Sequence, residues 1–151
     1  MGSAADLIMA DPVDAARIVA SDYPLGTFKG VSVDGLDPVT LAALHSLFVS
    51  APFGEVLRDY QPVAAASPNG PWLIRLPSQL ITFLGSIAPP DQAAVAVRWA
   101  SVEAVAEAGW TSDDADQFLG RLVPFAQTAA FEGKDLFLTA RKRTGSEGQP
   151  A

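Results

Sequence analysis

Apolar side chains recur at helical spacing along much of the chain, and the stretches that show this spacing open on capping residues. In the first stretch, Asp11 suits the N-cap because its carboxylate can accept backbone N–H groups, and Pro12 suits the first helical position. Apolar residues then follow at i, i+3 and i+4 from Ala15. This pattern predicts a helix that ends near Tyr23, since the residue before a proline avoids the helical region.

The segment 36–48, LDPVTLAALHSLF, repeats this start and predicts a second helix. Asp37 is the expected N-cap, Pro38 follows at the first helical position, and Leu36 and Leu41 match the two ends of a hydrophobic staple. The stripe at i, i+3, i+4 and i+7 contains the chain's single histidine: Leu41, Leu44, His45 and Phe48. The imidazole is therefore expected within or beside the buried face of this helix.

The middle of the chain predicts a connector, a strand and two helices. Residues 51–71 contain four prolines and two glycines and predict a loop-rich connector with a short helix at 55–60. WLIRL, residues 72–76, favours a strand, and Pro77 starts a helix that Pro89 ends. A fourth helix is predicted over 91–108, and its inner face would carry Val95, Trp99, Val102 and Ala106.

The last third of the chain predicts a long helix and a closing strand. Gly109 suits the left-handed position that ends a helix, with Trp110 packed back on the last turn. Thr111 can cap the next helix, which runs to near Gly133, and Pro124 predicts a kink or a break within it. Strands are expected at 135–141 and, from weaker signals, at 6–9 and 31–33.

These elements predict a helix-rich α+β fold with a small mixed or antiparallel sheet, because helices and strands do not alternate regularly. The chain has 151 residues, of which 49% are hydrophobic and 18% charged, and these values are typical of one globular domain. We expect a single domain over 1–143 and a flexible tail over 144–151.

Composition and charge limit the cellular compartment and the classes of partner that we expect for this protein. The chain has no cysteine, which excludes disulfides and thiolate chemistry, and its first residues lack the basic region of a signal peptide. No apolar run approaches the ~20 residues that span a bilayer. The net charge of −7 disfavours nucleic acid and anionic membranes as partners. We therefore expect a cytoplasmic protein whose partner is a protein with a basic surface.

The acidic cluster near the start of the last helix has two interpretations. Asp113, Asp114 and Asp116 could bind a cation, but a calcium loop counted from Asp113 would need glycine and glutamate where Phe118 and Pro124 stand. Carboxylates in the first turn of a helix are also stabilised by the helix dipole. We therefore interpret the cluster as capping and expect no metal site.

No motif in the sequence specifies a reaction or a cofactor. The chain lacks a nucleophile elbow, a Walker loop and a dinucleotide-binding glycine pattern, and one histidine is too few for a typical zinc site. What remains for an enzyme is a pair of carboxylates assembled by the fold. We expect no cofactor, and catalysis stays open but disfavoured.

Two groups of side chains remain as candidates for a binding or catalytic site. The tryptophans could line a ligand pocket, although each also suits a packing role: Trp72, Trp99 and Trp110. His45 could act in catalysis or ligand binding because histidine titrates near neutral pH. In the core interpretation, one ring nitrogen would bond a backbone carbonyl and the ring would pack.

Three segments together resemble a known bacterial family. LDPVTLAALHSLFVSAPF, the helix PSQLITFLGSI and the closing FLGRLVPFAQTAAFEGKDLFL are similar, with a Trp-bearing helix between the last two, to the YfbM-like domain family of unknown function. The likeness covers most of residues 5–140 and rests on the order of elements and on the Asp-led helix with Leu-His. Pro124 and the proline-rich middle depart from it. The resemblance implies an α+β fold and no activity.

Two classes of function follow from these observations. The first is a non-enzymatic interaction module, resembling an immunity or adaptor protein, whose negative charge steers it to a basic partner. The alternative is a small-molecule-binding or hydrolytic domain that uses a carboxylate pair and His45.

Overall fold

The computed structural model describes residues 5–21, 24–49, 51–65 and 72–140. Within these residues the chain forms five strands: β1 (Ala5–Ala10), β2 (Lys29–Ser32), β3 (Pro62–Ala65), β4 (Trp72–Arg75) and β5 (Asp135–Ala140). The same residues form these α-helices: α1 (Ala15–Ala20), α2 (Pro38–Ser46), α3 (Phe53–Leu57), α4 (Ser78–Gly85), α5 (Gln92–Ala100), α6 (Glu103–Glu107) and α7 (Ser112–Glu132). Short 3-10 turns lie at Pro12–Asp14, Pro24–Gly26 and Pro89–Asp91.

The strands form one sheet in the order β2-β1-β5-β4-β3, and every neighbouring pair is antiparallel. β1 lies beside β5 over its whole length, so strands from near the two ends of the chain form the centre of the sheet. This arrangement confirms the helix-rich α+β fold and selects the antiparallel sheet of the two alternatives.

The two faces of the sheet carry cores of unequal size. Alternate residues of β1 point to opposite faces, so Leu7 joins the large core while Ile8 joins the small one. The large core includes side chains from α2 and from the helices after it. The small core is completed by Ile18 and Val19 of α1. Because both faces are covered, all six residues of β1 are buried.

The predicted start of α2 is confirmed. The Asp37 carboxylate accepts a hydrogen bond from the Thr40 backbone N–H at 2.8 Å, and the Thr40 hydroxyl oxygen accepts one from the Asp37 N–H at 3.1 Å. Leu36 and Leu41, the two ends of the staple, are both buried. α2 is thereby fixed at its first turn, which sets the position of His45 two turns later.

α7 is also capped as predicted, but Pro124 does not break it. The Thr111 side chain accepts from the Asp114 N–H, the Asp114 carboxylate accepts from the Thr111 N–H, and Gly133 ends the helix at a φ of 69°. The helix is continuous from Ser112 to Glu132. Pro124 has no N–H to donate to the carbonyl one turn earlier in the helix. Because Pro124 is exposed, water can donate a hydrogen bond to that carbonyl instead.

The single helix predicted over 91–108 is wrong. α5 ends at Ala100, and α6 begins after Val102, whose backbone is extended. The Ser101 hydroxyl donates to the Val97 carbonyl at 2.7 Å, a local bond that competes with helix continuation. As a result Ala106 is exposed and Val105 is buried in its place. The end of α6 follows the prediction, with Gly109 at a φ of 87°.

Two further predictions need correction. The connector 51–71 contains the edge strand β3, and its helix lies at Phe53–Leu57 instead of 55–60. The first helix is shorter than predicted, because a 3-10 turn at Pro12–Asp14 precedes α1 and α1 ends at Ala20. The predicted tail over 144–151 and the domain boundary before it lie outside the described residues.

In the described part of the chain, no single helix has the length and apolar character needed to cross a membrane. One stretch reaches that length only as a bent pair, Ser78–Gly85 with Pro89–Ala100, whose two parts meet at 100°.

Candidate functional site

His45 lies in the core with both ring nitrogens hydrogen-bonded. The capped start of α2 places it on the buried face, where 2% of its surface is exposed. Its Nδ1 lies 2.9 Å from the Tyr60 hydroxyl, and its Nε2 lies 3.1 Å from Oε1 of Gln79. The imidazole therefore joins α2 to the turn after α3 and to the first turn of α4.

The two ring nitrogens of His45 donate or accept according to which of them carries the proton. Burial, and to a smaller extent the negative charge of Asp59, raises the pKa of Tyr60, so the phenol keeps its hydrogen. That O–H can donate to Nδ1 only if Nδ1 carries no proton. In the neutral ring with its proton on Nε2, Nε2 donates to Gln79 Oε1 and Nδ1 accepts from the Tyr60 hydroxyl. This arrangement satisfies both ring nitrogens and the Tyr60 O–H.

Aromatic rings close around the imidazole. Tyr60 and Phe83 both meet it edge-on, with centroids 5.9 and 6.2 Å away, and Phe48 stacks on Phe83 at 4.8 Å. The core position predicted for His45 is confirmed, but the expected backbone carbonyl partner is wrong. A side chain this buried, with both nitrogens engaged, is poorly placed to touch a substrate.

Two of the three candidate tryptophans meet each other in the core. Trp99 is fully buried and donates from Nε1 to the Thr40 carbonyl at 2.8 Å, which ties α5 to α2. Trp110 packs edge-on against Trp99 at 5.0 Å and stacks on Phe118 at 4.5 Å. The rings pack against one another, as expected if Trp99 and Trp110 have a packing role and do not line a ligand pocket. Trp72 belongs to β4, and its side chain lies outside the described residues.

The three candidate aspartates do not converge on one point. Asp113 and Asp114 are exposed, and Asp114 is held in the capping contact with Thr111. Asp116 is half-buried and accepts a hydrogen bond from the Gln92 side-chain amide at 3.1 Å. Across the described ranges, no group of three or more His, Cys, Asp or Glu side chains could hold a metal ion.

Negative charge is concentrated on the helices between β4 and the middle of α7. Residues 76–120 contain a single basic residue, Arg98, and six acidic residues: Asp91, Glu103, Glu107, Asp113, Asp114 and Asp116. We call these six the acidic surface. All except Asp116 are exposed, and the contact between Gln92 and Asp116 brings the start of α5 beside the start of α7.

The ion pairs in the described part of the chain lie elsewhere. They use Asp11, Asp14, Glu132 and Asp135 as acidic partners. No carboxylate of the acidic surface takes part in these ion pairs. Sequence reasoning singled out only the three aspartates of α7, although the scarcity of basic residues over 76–120 was available as a signal for Asp91, Glu103 and Glu107.

Comparison of the chain with protein-family models, with curated proteins and with solved structures gave no match. The resemblance to the YfbM-like family therefore stays a prediction that rests on the segments quoted above.

Proposed function

We propose that the protein is a non-enzymatic protein-interaction module, similar in role to an immunity or adaptor protein, that binds a partner through the acidic surface. This proposal rests on one observation: residues 76–120 contain six carboxylates and only one basic side chain, an arginine, and five of the six carboxylates are exposed. A field of this sign steers a basic surface into contact and disfavours acidic partners.

The state of the candidate catalytic groups supports a role without catalysis. The hydrolytic alternative needs His45 within reach of a substrate, yet its ring is buried and both nitrogens have partners. The alternative also needs two carboxylates that face one another across a cleft. Asp114 and Asp116 are instead held by Thr111 and Gln92. We place the protein in the cytoplasm as part of the same proposal, since a chain without cysteine suits a reducing compartment.

Two matched double variants test the proposal by affinity capture from the native host lysate. Glu103→Gln with Glu107→Gln removes two exposed charges of the acidic surface, and Glu55→Gln with Asp59→Asn removes two exposed charges elsewhere. Neither pair takes part in an ion pair of the described chain. Both variants should therefore fold as the wild type does.

We expect the wild type and the Glu55/Asp59 variant to retain a basic protein that the Glu103/Glu107 variant loses. Retention should also fall as salt is raised from about 0.05 to 0.3 M, because salt screens charges at an exposed interface. The proposal is wrong if the Glu103/Glu107 variant retains every captured protein as well as the wild type does. It is also wrong if salt has no effect on retention.

A further inference from the structure

We propose that residues 11–17 and 131–135, which we call the paired end, form the interface of a symmetric dimer in which each copy covers the exposed Phe131 of the other. These two segments follow β1 and precede β5. The occupant of this surface is a second copy of the chain, so the dimer depends neither on the acidic surface nor on the partner proposed above.

The two segments of the paired end lie side by side at one end of the sheet. Ala10, the last residue of β1, is in register with Asp135, the first residue of β5. The Lys134 ammonium donates to the Asp11 carboxylate at 3.0 Å and so joins the segment after β1 to the end of α7. Residues far apart in the chain therefore form one part of the surface.

The paired end carries the two most exposed large apolar side chains among the described residues. Phe131 is 92% exposed and Val13 is 86% exposed, and neither belongs to either core of the fold. Phenylalanine is usually buried in folded proteins, and aromatic side chains are enriched at the centres of interfaces. Contact with another molecule would remove both side chains from water.

The charges around these side chains favour a second copy as that molecule. The four ion pairs of the described residues all have their acidic partner in the paired end: Asp11, Asp14, Glu132 and Asp135. One cation matches each carboxylate, so the net charge of −7 lies on other residues. Two identical surfaces that carry both signs can bring opposite charges together across a twofold axis.

The distance between the paired end and the acidic surface limits the repulsion between two copies. Asp113 and Phe131 lie near opposite ends of α7, about 27 Å apart at about 1.5 Å per residue. The Debye length is about 8 Å at 0.15 M salt, so the acidic surfaces of two copies that meet at Phe131 are largely screened from each other. This end is therefore where two acidic chains can meet at low electrostatic cost.

Sedimentation equilibrium of the full chain tests the dimer. We expect the wild type to change from monomer to dimer between about 1 μM and 1 mM. Phe131→Gln removes the ring and keeps good helix propensity, and it should raise the dissociation constant by roughly tenfold or more, as for a side chain at the centre of an interface. A wild type that stays monomeric up to about 1 mM would overturn the proposal.

Two valine variants test where the interface lies. Val13→Ser and Val97→Ser each replace an exposed valine, but Val13 belongs to the paired end and Val97 lies on α5. Val13→Ser should weaken the dimer, and Val97→Ser should leave it unchanged. A dimer that Phe131→Gln and Val13→Ser do not weaken, or that Val97→Ser weakens equally, would contradict the proposal.

The effect of salt separates this dimer from binding through the acidic surface. Both copies carry a net charge of −7, so raising salt from about 0.01 to 0.15 M should strengthen the dimer by screening their repulsion. Binding of a basic protein should weaken over the same range. A dimer that weakens as salt is added would indicate attraction between surfaces of opposite net charge and would contradict an interface at the paired end.

Discussion

Gly30 occupies a position in β2 where the chain leaves no space for a side chain. A Cβ atom there would lie 2.5 Å from the Leu7 carbonyl oxygen, 2.7 Å from Leu25 Cδ2 and 2.9 Å from Ile8 Cδ1. The first of these neighbours is backbone of β1, which pairs with β2 and β5 and cannot move without disturbing the sheet.

We therefore expect Gly30→Ala to lower the free energy of unfolding by about 2 to 3 kcal/mol, the usual effect of forcing extra volume into a packed site. Urea denaturation measures the change. Gly54→Ala is the control, because nothing lies within 4 Å of a Cβ at that position in α3. This control should be neutral or stabilising by up to about 1 kcal/mol. Equal losses in both variants would contradict the close approach seen at Gly30.

Tyr60 should make the fold sensitive to alkali. Its pKa is raised above the unfolded value by burial, with a smaller effect of Asp59, so the folded state holds the phenolic proton more tightly than the unfolded state does. Its contribution is fully present below the unfolded pKa of about 10 and is lost as pH rises above it, by up to about 1.4 kcal/mol per pH unit.

Urea denaturation at a series of pH values from 8 to 11, roughly the range that brackets the ordinary tyrosine pKa, checks this dependence. Above pH ~10, the unfolding free energy should fall less steeply with pH in Tyr60→Phe than in the wild type. The difference between the two slopes should correspond to the release of about one proton. Identical slopes in the two proteins would show that Tyr60 does not carry the effect.

Burial was easier to predict for single residues than contacts were. The stripe from Leu41 to Phe48 places His45 on the inner face because helical spacing is a local property of the sequence. Its partners Tyr60 and Gln79 lie 15 and 34 positions away, and no local pattern links them. The network that defines the candidate site therefore depends on tertiary packing, which one sequence does not reveal.

At the scale of elements, the N-cap of α2 carries a measurable share of the stability. Asp37→Ala removes the acceptor of the Thr40 N–H bond and should lower the unfolding free energy by about 1 kcal/mol, and by at most about 2 kcal/mol. Asp37→Asn keeps a side-chain oxygen at the same position and should cost much less. Thermal and urea unfolding of both variants measure the difference. Equal losses would point to the charge of Asp37 and not to its capping bond.

Capped helices were predicted well, and extended or broken segments were not. Side chains close to the helix starts fix the boundaries of α2 and α7, so these elements can be read locally. The break at Val102 and the strand β3 depend on the surroundings of each segment. Val102 continues an apolar helical pattern, and Pro62 in β3 is a residue that strands seldom contain except at a sheet edge.

At the scale of the whole molecule, the order of the strands could not be predicted. β1 pairs with β2 nearby in the chain, but also with β5, and the register joins Ala5 to Ala140. Such a pairing is selected by the burial of both faces of β1, because all six of its residues lose contact with water only in the centre of the sheet. The spacing of apolar residues within β1 does not indicate which strands pair with it.

The charge distribution predicts how the whole molecule responds to salt. The exposed ion pairs of the described residues contribute little, whereas the acidic surface adds six like charges, opposed by one arginine over residues 76–120, to a chain of net charge −7. Salt shortens the Debye length from about 30 Å at 0.01 M to about 8 Å at 0.15 M, so repulsion should weaken more than the ion pairs do. We expect Tm to rise by about 1 to 3 °C over this range.

The two charge variants show where this repulsion arises. Glu103→Gln with Glu107→Gln should raise Tm at low salt and reduce its dependence on salt, because these residues belong to the acidic surface. Glu55→Gln with Asp59→Asn removes the same charge beside Arg58 and should change both quantities less. Differential scanning calorimetry at the two salt concentrations measures them. A Tm that falls on addition of salt would mean that the ion pairs outweigh the repulsion, and the acidic surface would then lack the strong field on which partner binding is proposed to depend.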